Sequence, residues 1–364
     1  MKQWLPHWVG VPRLDLSLLL ALLLVMGAGL LVLYSASGQE SALVTRQAIR
    51  LGIGLAVLLL ISQVPPYLLR LWTPWIYGVG LVLVAATWAV GEGKGADRWL
   101  DFGLLRFQPS ELMKLAVPMM VAWYLHGRVL PPNWRDLSIC LLLLVVPALL
   151  IARQPDLGTA LLVGISGAFT LFLAGLRWRV IGGAVALGLA ALPLLWMVMK
   201  DYQRGRVLTF LNPESDPLGA GWNIIQSKVA VGSGGFSGKG WLQGTQARLE
   251  FIPERHTDFI LAVLAEEFGL LGVLLLFVTY LFIVGRSLYI AGLARDTWSR
   301  LVAGSLAMTL FVYVVVNAAM VSGALPVVGV PLPLISYGGT SAVTLLAGMG
   351  IIMSAYGNRT FIRR

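Results

Sequence analysis

The sequence predicts an all-α, polytopic membrane protein with about ten transmembrane helices, both termini cytoplasmic and one long external loop. Three observations carry that reading. Of 364 residues, 58% are hydrophobic and only 12% charged, about half the charge of a soluble chain. The apolar residues come in runs of about 20, the length that crosses a bilayer core. The basic residues gather on alternate connections between those runs. A mean hydropathy of +0.81 excludes an ordinary cytosolic enzyme and, equally, a disordered chain. One cysteine, Cys140, excludes a disulfide framework, and His7, His126 and His256 leave little material for a zinc site.

The first run, 15–36, has an apolar core longer than that of a signal peptide. The next spans lie at 47–64 and 72–90. A long apolar stretch then divides into 110–126, 136–152 and 157–175, the last break made by Gln154-Pro155-Asp156. The seventh span is 178–199. Gly52, Gly54, Pro118, Pro147 and Pro193 fall inside these runs, where neighbouring helices can satisfy freed backbone groups. Residues 200–258 form the long external loop, with apolar pieces at 207–211 and 222–231, inside a single integral membrane domain covering 1–364. The last spans are 259–285, 301–321 and 341–356. Between the final two, 329–341 carries no charge yet breaks the helical pattern, as a re-entrant loop buried in protein does.

Ten spans put both termini on one side. With the termini inside, the internal segments hold 13 of the 27 basic residues and only Asp15, Asp136 and Asp296 of the 17 acidic ones. The positive-inside rule therefore places the termini in the cytoplasm. The net charge of +10 reports topology, not nucleic-acid binding, which needs the charge on one exposed face.

Polar residues concentrate on the external side. Arg98-Trp99 is followed by Gln108-Pro109-Ser110-Glu111 and Lys114. Ser110 is placed to cap the fourth span, and Glu111 and Lys114 are spaced to pair on one helical face. Ionisable groups at a membrane helix end usually face a cavity. The long loop ends in Pro253-Glu254-Arg255-His256-Thr257-Asp258, where the plain role of Asp258 is to cap the eighth span. Glu266 and Glu267 lie two turns further in and read as structural. The glycine cluster at 232–240, with Lys239, fails the phosphate-binding loop pattern. A turn, or a flexible loop near an anionic ligand, fits it equally well.

These motifs, together with Gln154-Pro155-Asp156-Leu157-Gly158-Thr159, Gly244-Thr245-Gln246 and the stretch 331–341 that holds Ser336, resemble the SEDS family (shape, elongation, division and sporulation) along essentially the whole chain. Gly244-Thr245-Gln246 with residues 253–258 is more similar to its elongation branch than to its division branch. The resemblance implies a peptidoglycan glycosyltransferase that polymerises lipid II at the outer face of the cytoplasmic membrane during elongation. It puts the family's essential aspartate at Asp258, its cavity-lining pair at Glu111 and Lys114, and other sensitive positions at Arg98, Trp99 and Asp156. It also implies a divalent cation, Mg²⁺ or Mn²⁺, and as partners a class B penicillin-binding protein and further membrane proteins of an elongation complex.

Glycosyl transfer from a lipid pyrophosphate needs a base for the acceptor hydroxyl and charge compensation for the leaving group. Asp258 can be that base or a metal ligand, and the residues leave both open. Lys114, Arg98, Lys239 and Arg255 are the cations available to the pyrophosphate, with His256 and Ser336 beside them. The rival reading is a flippase or transporter of lipid-linked precursor, since Glu111, Lys114, Glu266 and Glu267 would also serve a proton relay. Against it, the chain lacks a clear internal repeat and a polar cluster at its inner mouth. The resemblance further places a partner's helix on the eighth and ninth spans, which mix Phe277, Tyr280, Phe282 and Phe311 with Gly272, Gly285 and Gly304.

Overall fold

The fold is known from a computed structural model that describes residues 14–90, 99–101, 106–154, 156–199, 201–215, 221–249 and 251–357. Ten long helices coincide with the ten expected spans: α1 Leu16–Ala36, α2 Ser41–Gln63, α3 Pro66–Val90, α4 Pro109–Leu125, α5 Trp134–Ala152, α6 Leu157–Leu173, α7 Trp178–Val198, α11 Ile260–Leu293, α12 Thr297–Val321 and α13 Thr340–Gly357. Among the described residues seven of them are long and apolar enough to cross a membrane, while α6 and the stretch Trp178–Leu194 of α7 are shorter apolar helices. Among the described residues the only departure from an all-helical chain is a two-residue antiparallel pair, β1 Leu100–Asp101 with β2 Arg106–Phe107, which leads into α4.

The long helices are apolar on every side, so composition alone does not say which face turns inward. On α1, Leu18, Leu22, Val25 and Leu33 are buried while Leu16, Leu20, Leu24 and Leu31 are exposed. The first set packs on protein and the second meets lipid. The centre of the bundle is α4, buried along nearly its whole length and packed chiefly against α3, α6 and α12. Helix α7 is the opposite extreme, exposed along most of its length. Helices α2 and α13 approach until backbone touches backbone. A Cβ at Gly54 would lie 3.3 Å from the Val343 Cα, and one at Gly350 would lie 2.8 Å from the Leu58 carbonyl.

Two local expectations change. Ser110 is not the cap of the fourth span: Gln108 occupies that position without a side-chain bond to the helix, and Pro109 begins the helix, where its missing N–H costs nothing. Asp258 is not a cap either, because Phe259 precedes α11 and no side chain caps it. Asp15, Asn133, Asp156 and Asp296 do cap α1, α5, α6 and α12.

The external segment is built and packed. It contains α8 Asp201–Leu211, a 3-10 turn Pro213–Ser215, α9 Trp222–Ser233 and α10 Thr245–Arg248. Helix α9 buries Ile224, Ser227 and Ala230, and the Ser227 hydroxyl donates to the last carbonyl of α12, Val321, at 2.9 Å. The chain from 322 to 339 has no helix and dips into the bundle. A Cβ on Gly29 of α1 would lie 2.9 Å from the Leu334 carbonyl and the Ile335 Cα. Gly29 is seven residues inside the external end of α1, so the segment descends about 10 Å. Leu334 sits there at φ +63°, a left-handed conformation that a leucine keeps only when its surroundings impose it.

Candidate active site

The eighth span does not begin as a plain helix. Gly269 interrupts α11 at φ +65° and ψ −163°, which frees carbonyls from the i→i+4 ladder just before it. The glycine cluster answers them. Lys239 N donates to the Glu266 carbonyl and Gly240 N to the Glu267 carbonyl, both at 3.0 Å, while Leu270 N and Leu271 N reach back to Gly235 and Phe236. A Cβ at Gly238 would lie 2.1 Å from the Glu267 carbonyl. The cluster is therefore a backbone-to-backbone seam, the turn reading of the two open at the outset. The Glu266 side chain locks it, accepting from Lys239 Nζ at 2.7 Å, Thr245 N at 2.8 Å, Thr245 Oγ1 at 2.9 Å and Gln246 N at 3.1 Å. Glu267 accepts from the Ser35 hydroxyl of α1.

Eight residues earlier, Asp258 is treated in the opposite way. Its backbone is pinned, since Asn317 Nδ2 of α12 donates to the Asp258 carbonyl at 2.9 Å and to the Val330 carbonyl at 2.8 Å. Its carboxylate is half-buried and makes no hydrogen bond with the described residues. A Cβ on Gly329 of the re-entrant segment would lie 3.6 Å from its Oδ2. Burial pushes the carboxyl up to about 6, the charge of Glu254 adds to this and Arg206 opposes it. The neighbours are equally fixed. Tyr337 N donates to the His256 carbonyl at 2.8 Å and Ser336 Oγ to the Thr257 carbonyl at 2.5 Å. Arg255 is buried with Nε on the Ala36 carbonyl at 2.7 Å.

Glu111 and Lys114 form a buried ion pair at 2.6 Å in the first turns of α4. The ammonium lies 5.0 Å from the centre of the Tyr313 ring. With Thr309 and Thr344 these residues line a pocket of about 30 Å³ between α4, α12 and α13, room for a water or two. Tyr313 and Asn317 are one turn apart on α12, so consecutive turns of one helix hold the ion pair and the Asp258 backbone. Asp156 accepts from Gln108 Nε2 at 3.0 Å beside the start of α4, and Trp99 is half-buried at the start of the hairpin. Arg98 lies outside the described residues.

Tyr313 and Asn317 were not among the expected site residues. A signal for them exists: Ser305, Thr309, Tyr313 and Asn317 recur every four residues along an otherwise apolar span, and all four are buried. Of the cations expected near a pyrophosphate, the three among the described residues are committed to other partners. Lys114 pairs with Glu111, Lys239 with Glu266, and Arg255 holds α1. Arg206, close enough to Asp258 to act on its charge, is exposed and donates to the Val327 carbonyl at 3.2 Å. Among the described residues no three His, Cys, Asp or Glu side chains gather as a metal cage.

Known proteins resemble the chain from end to end. The chain is 52% identical to peptidoglycan glycosyltransferase MrdB of Escherichia coli K12 over 354 residues, 97% of this chain and 96% of that protein. It is 36% identical to a probable peptidoglycan glycosyltransferase FtsW of Trichlorobacter lovleyi, covering 93% and 92%. Its fold superposes on a chain of a peptidoglycan synthase complex with a TM-score of 0.84 at 34% identity, over 96% and 98% of the two chains. It superposes on the rod-shape-determining protein RodA of Thermus thermophilus with a TM-score of 0.73 at 31% identity, over 97% and 99%. The family model for the cell cycle proteins FtsW, RodA and SpoVE matches residues 13–360, and the chain, a multi-pass membrane protein, belongs to that family.

Proposed function

We propose that this chain is a peptidoglycan glycosyltransferase that polymerises lipid II at the outer face of the cytoplasmic membrane during cell elongation, with Asp258 at its reacting centre. The observation that carries this reading is the state of Asp258: backbone pinned by Asn317, carboxylate unsatisfied and pushed up to about 6. A carboxylate with that affinity for protons is suited to general base catalysis near neutrality. It takes the proton of the acceptor sugar hydroxyl as that oxygen bonds to the anomeric carbon of the donor. The bond from that carbon to the lipid pyrophosphate breaks, and the pyrophosphate leaves with its electron pair. Direct displacement inverts the configuration, so an α-linked donor gives a β-linked polymer. Arg206 stands beside the site to offset the leaving charge.

A divalent cation fits this donor set in the manner of Mg²⁺, which takes one or two carboxylates and completes its shell with substrate phosphates and water. In the alternative role that the residues leave open, Asp258, instead of serving as the base, would hold the ion, with Glu254 beside it. When bound it would neutralise the developing charge on the pyrophosphate.

The partner of this reading is a class B penicillin-binding protein, within a larger elongation complex of membrane proteins. Its helix fits a fully apolar groove of about 180 Å³ between α11 and α12, lined by Phe277, Tyr280, Leu281, Phe311, Val314 and Val315. Of the three glycines expected to meet a partner, Gly285 faces open space, Gly304 packs inward on Leu173 of α6, and Gly272 abuts Phe268 of its own helix. Gly285, with Gly292 two turns further along α11, is free to meet a partner.

Purified protein incubated with lipid II and Mg²⁺ or Mn²⁺ should give glycan polymer on a gel, and the Asp258→Asn variant none. Movement of lipid II across a vesicle without polymer would favour the transporter instead.

A further inference from the structure

Arg50 is an unexplained charge. It lies in α2, nine residues and about 13 Å inside the external end of that helix, between the lipid-exposed Ile49 and Ile53. It is half-buried. Among the described residues its guanidinium has no carboxylate partner and no hydrogen-bond acceptor, and its one polar contact is the Tyr337 ring, 4.7 Å from ring centre to guanidinium carbon. An arginine at that depth is costly unless something pairs with it. The other described arginines near it show the contrast, for Arg46 pairs loosely with Glu40 at 3.7 Å at the water surface.

The surroundings direct the charge. Side chains on a helix lean toward its N-terminus, which for α2 is the external end. Gly339 gives the guanidinium room, since a Cβ there would lie 3.4 Å from Arg50 Nε. One turn above, Gln47 clamps the same re-entrant segment, donating to the Ser336 carbonyl at 3.2 Å and accepting from Gly338 N at 3.3 Å. The other face of that segment holds the turn at 256–258 through Tyr337 N and Ser336 Oγ. Arg50 and Asp258 therefore flank a single short stretch of chain, one on its bilayer side and one on its reaction side.

We infer that Arg50 is a phosphate-binding residue for a lipid that reaches the re-entrant segment from the bilayer beside α2. A planar guanidinium, stacked on an aromatic ring with its N–H groups unused, is preorganised for phosphate oxygens. Two sources carry that chemistry: a polyprenyl pyrophosphate, the lipid-linked end of the substrate, or the head group of an anionic phospholipid. The first identification rests on the proposed glycosyltransferase reading, and the phosphate site itself does not.

The test counts lipids retained on the full-length protein by native mass spectrometry, without divalent metal, using polyprenyl pyrophosphate and phosphatidylglycerol as separate probes. Arg50→Gln removes the charge with no hydrogen bond lost inside the protein. Arg50→Lys keeps the charge but loses the stacked fork. Arg300→Gln, on the opposite side of the membrane, controls for the loss of one positive charge. Retention of the pyrophosphate should fall about tenfold in Arg50→Gln, less in Arg50→Lys, and not at all in Arg300→Gln. If phosphatidylglycerol is lost instead, the site stands with a bilayer lipid as occupant. If both probes stay on a folded Arg50→Gln protein as on the wild type, the inference is overturned. Asp258→Asn should retain the pyrophosphate like the wild type while making no polymer, which separates failure of this site from failure of the catalytic reading.

Discussion

Asp258 and Glu266 are carboxylates eight residues apart at the same end of the same span, and the protein treats them oppositely. Glu266 is fully buried and accepts hydrogen bonds from Lys239, Thr245 and Gln246. Asp258 keeps more exposure, has its backbone fixed by Asn317, and leaves its carboxylate without a donor. A buried carboxylate that is saturated with donors is holding structure, because it has no lone pair left for a substrate. One that is positioned by its main chain and starved of donors is available for chemistry. The difference shows that at this helix end the acidic residue deeper in the membrane is the structural one.

The largest effect that tests this contrast is on activity. Asp258→Asn should lower polymerisation by about 10²–10⁴-fold and leave thermal unfolding in detergent close to the wild type, since no side-chain hydrogen bond is lost. An active Asp258→Asn protein, or one that unfolds early, would erase the distinction. Glu266→Ala should do the reverse to stability. Lys239 is partly exposed, so its lost ion pair alone costs little. The part-buried Thr245 and Gln246 donors, however, lose their acceptor at about 1–3 kcal/mol each, so this variant should unfold at a clearly lower temperature or fail to accumulate. Normal stability in Glu266→Ala would show that the seam does not depend on its carboxylate.

Glu111 and Lys114 offer an intermediate case. They are as buried as Glu266, yet they line a pocket. Glu111→Gln alone leaves the Lys114 charge with only the Tyr313 ring and should destabilise by about 3 kcal/mol. The double variant Glu111→Leu with Lys114→Met removes both charges and should recover most of that stability. Activity is the discriminating readout: if the pair serves the reaction, the double variant stays inactive although folded. Recovery of both would place the pair with Glu266.

The ten spans were legible because crossing a bilayer demands about 20 apolar residues, a requirement each run announces by itself. The pairing of Glu111 with Lys114 was legible for a similar reason, as three-residue spacing is a local fact. The opposite fates of Asp258 and Glu266 were not. They depend on donors from α12 and from the 239–246 loop, 59 residues away in one case and about 20 in the other. The break at Gly269 was hidden because a glycine inside an apolar run is ordinary in membrane helices. Ser110 misled because Pro109 suits the first helical position so well that the cap moved back to Gln108. The stripe Ser305, Thr309, Tyr313 and Asn317 is the signal that a period-of-four search for polar residues in apolar spans would have found.

The smallest expected effect is in pH dependence, and it separates the two roles of one group by sign. A base must be deprotonated, so polymerisation should fall as pH drops through about 6, by about tenfold per pH unit well below it. Stability should move the other way. The Asp258 carboxyl is raised from 3.8 in the unfolded chain to about 6 in the folded one. Between those values the folded state binds the extra proton, so stability rises as pH falls through 6 and the gain is complete below the unfolded value. Above 6 the ionised group sits in its half-buried place unrelieved. Partial exposure screens the charge, so the shift should be a modest rise in Tm between pH 7 and 5, measured against Asp258→Asn, which has no proton to bind there. An activity profile flat through pH 6 with the Tm difference present would leave Asp258 buried and strained but not the base. A sloping activity profile with no Tm difference would assign the acid limb to another group.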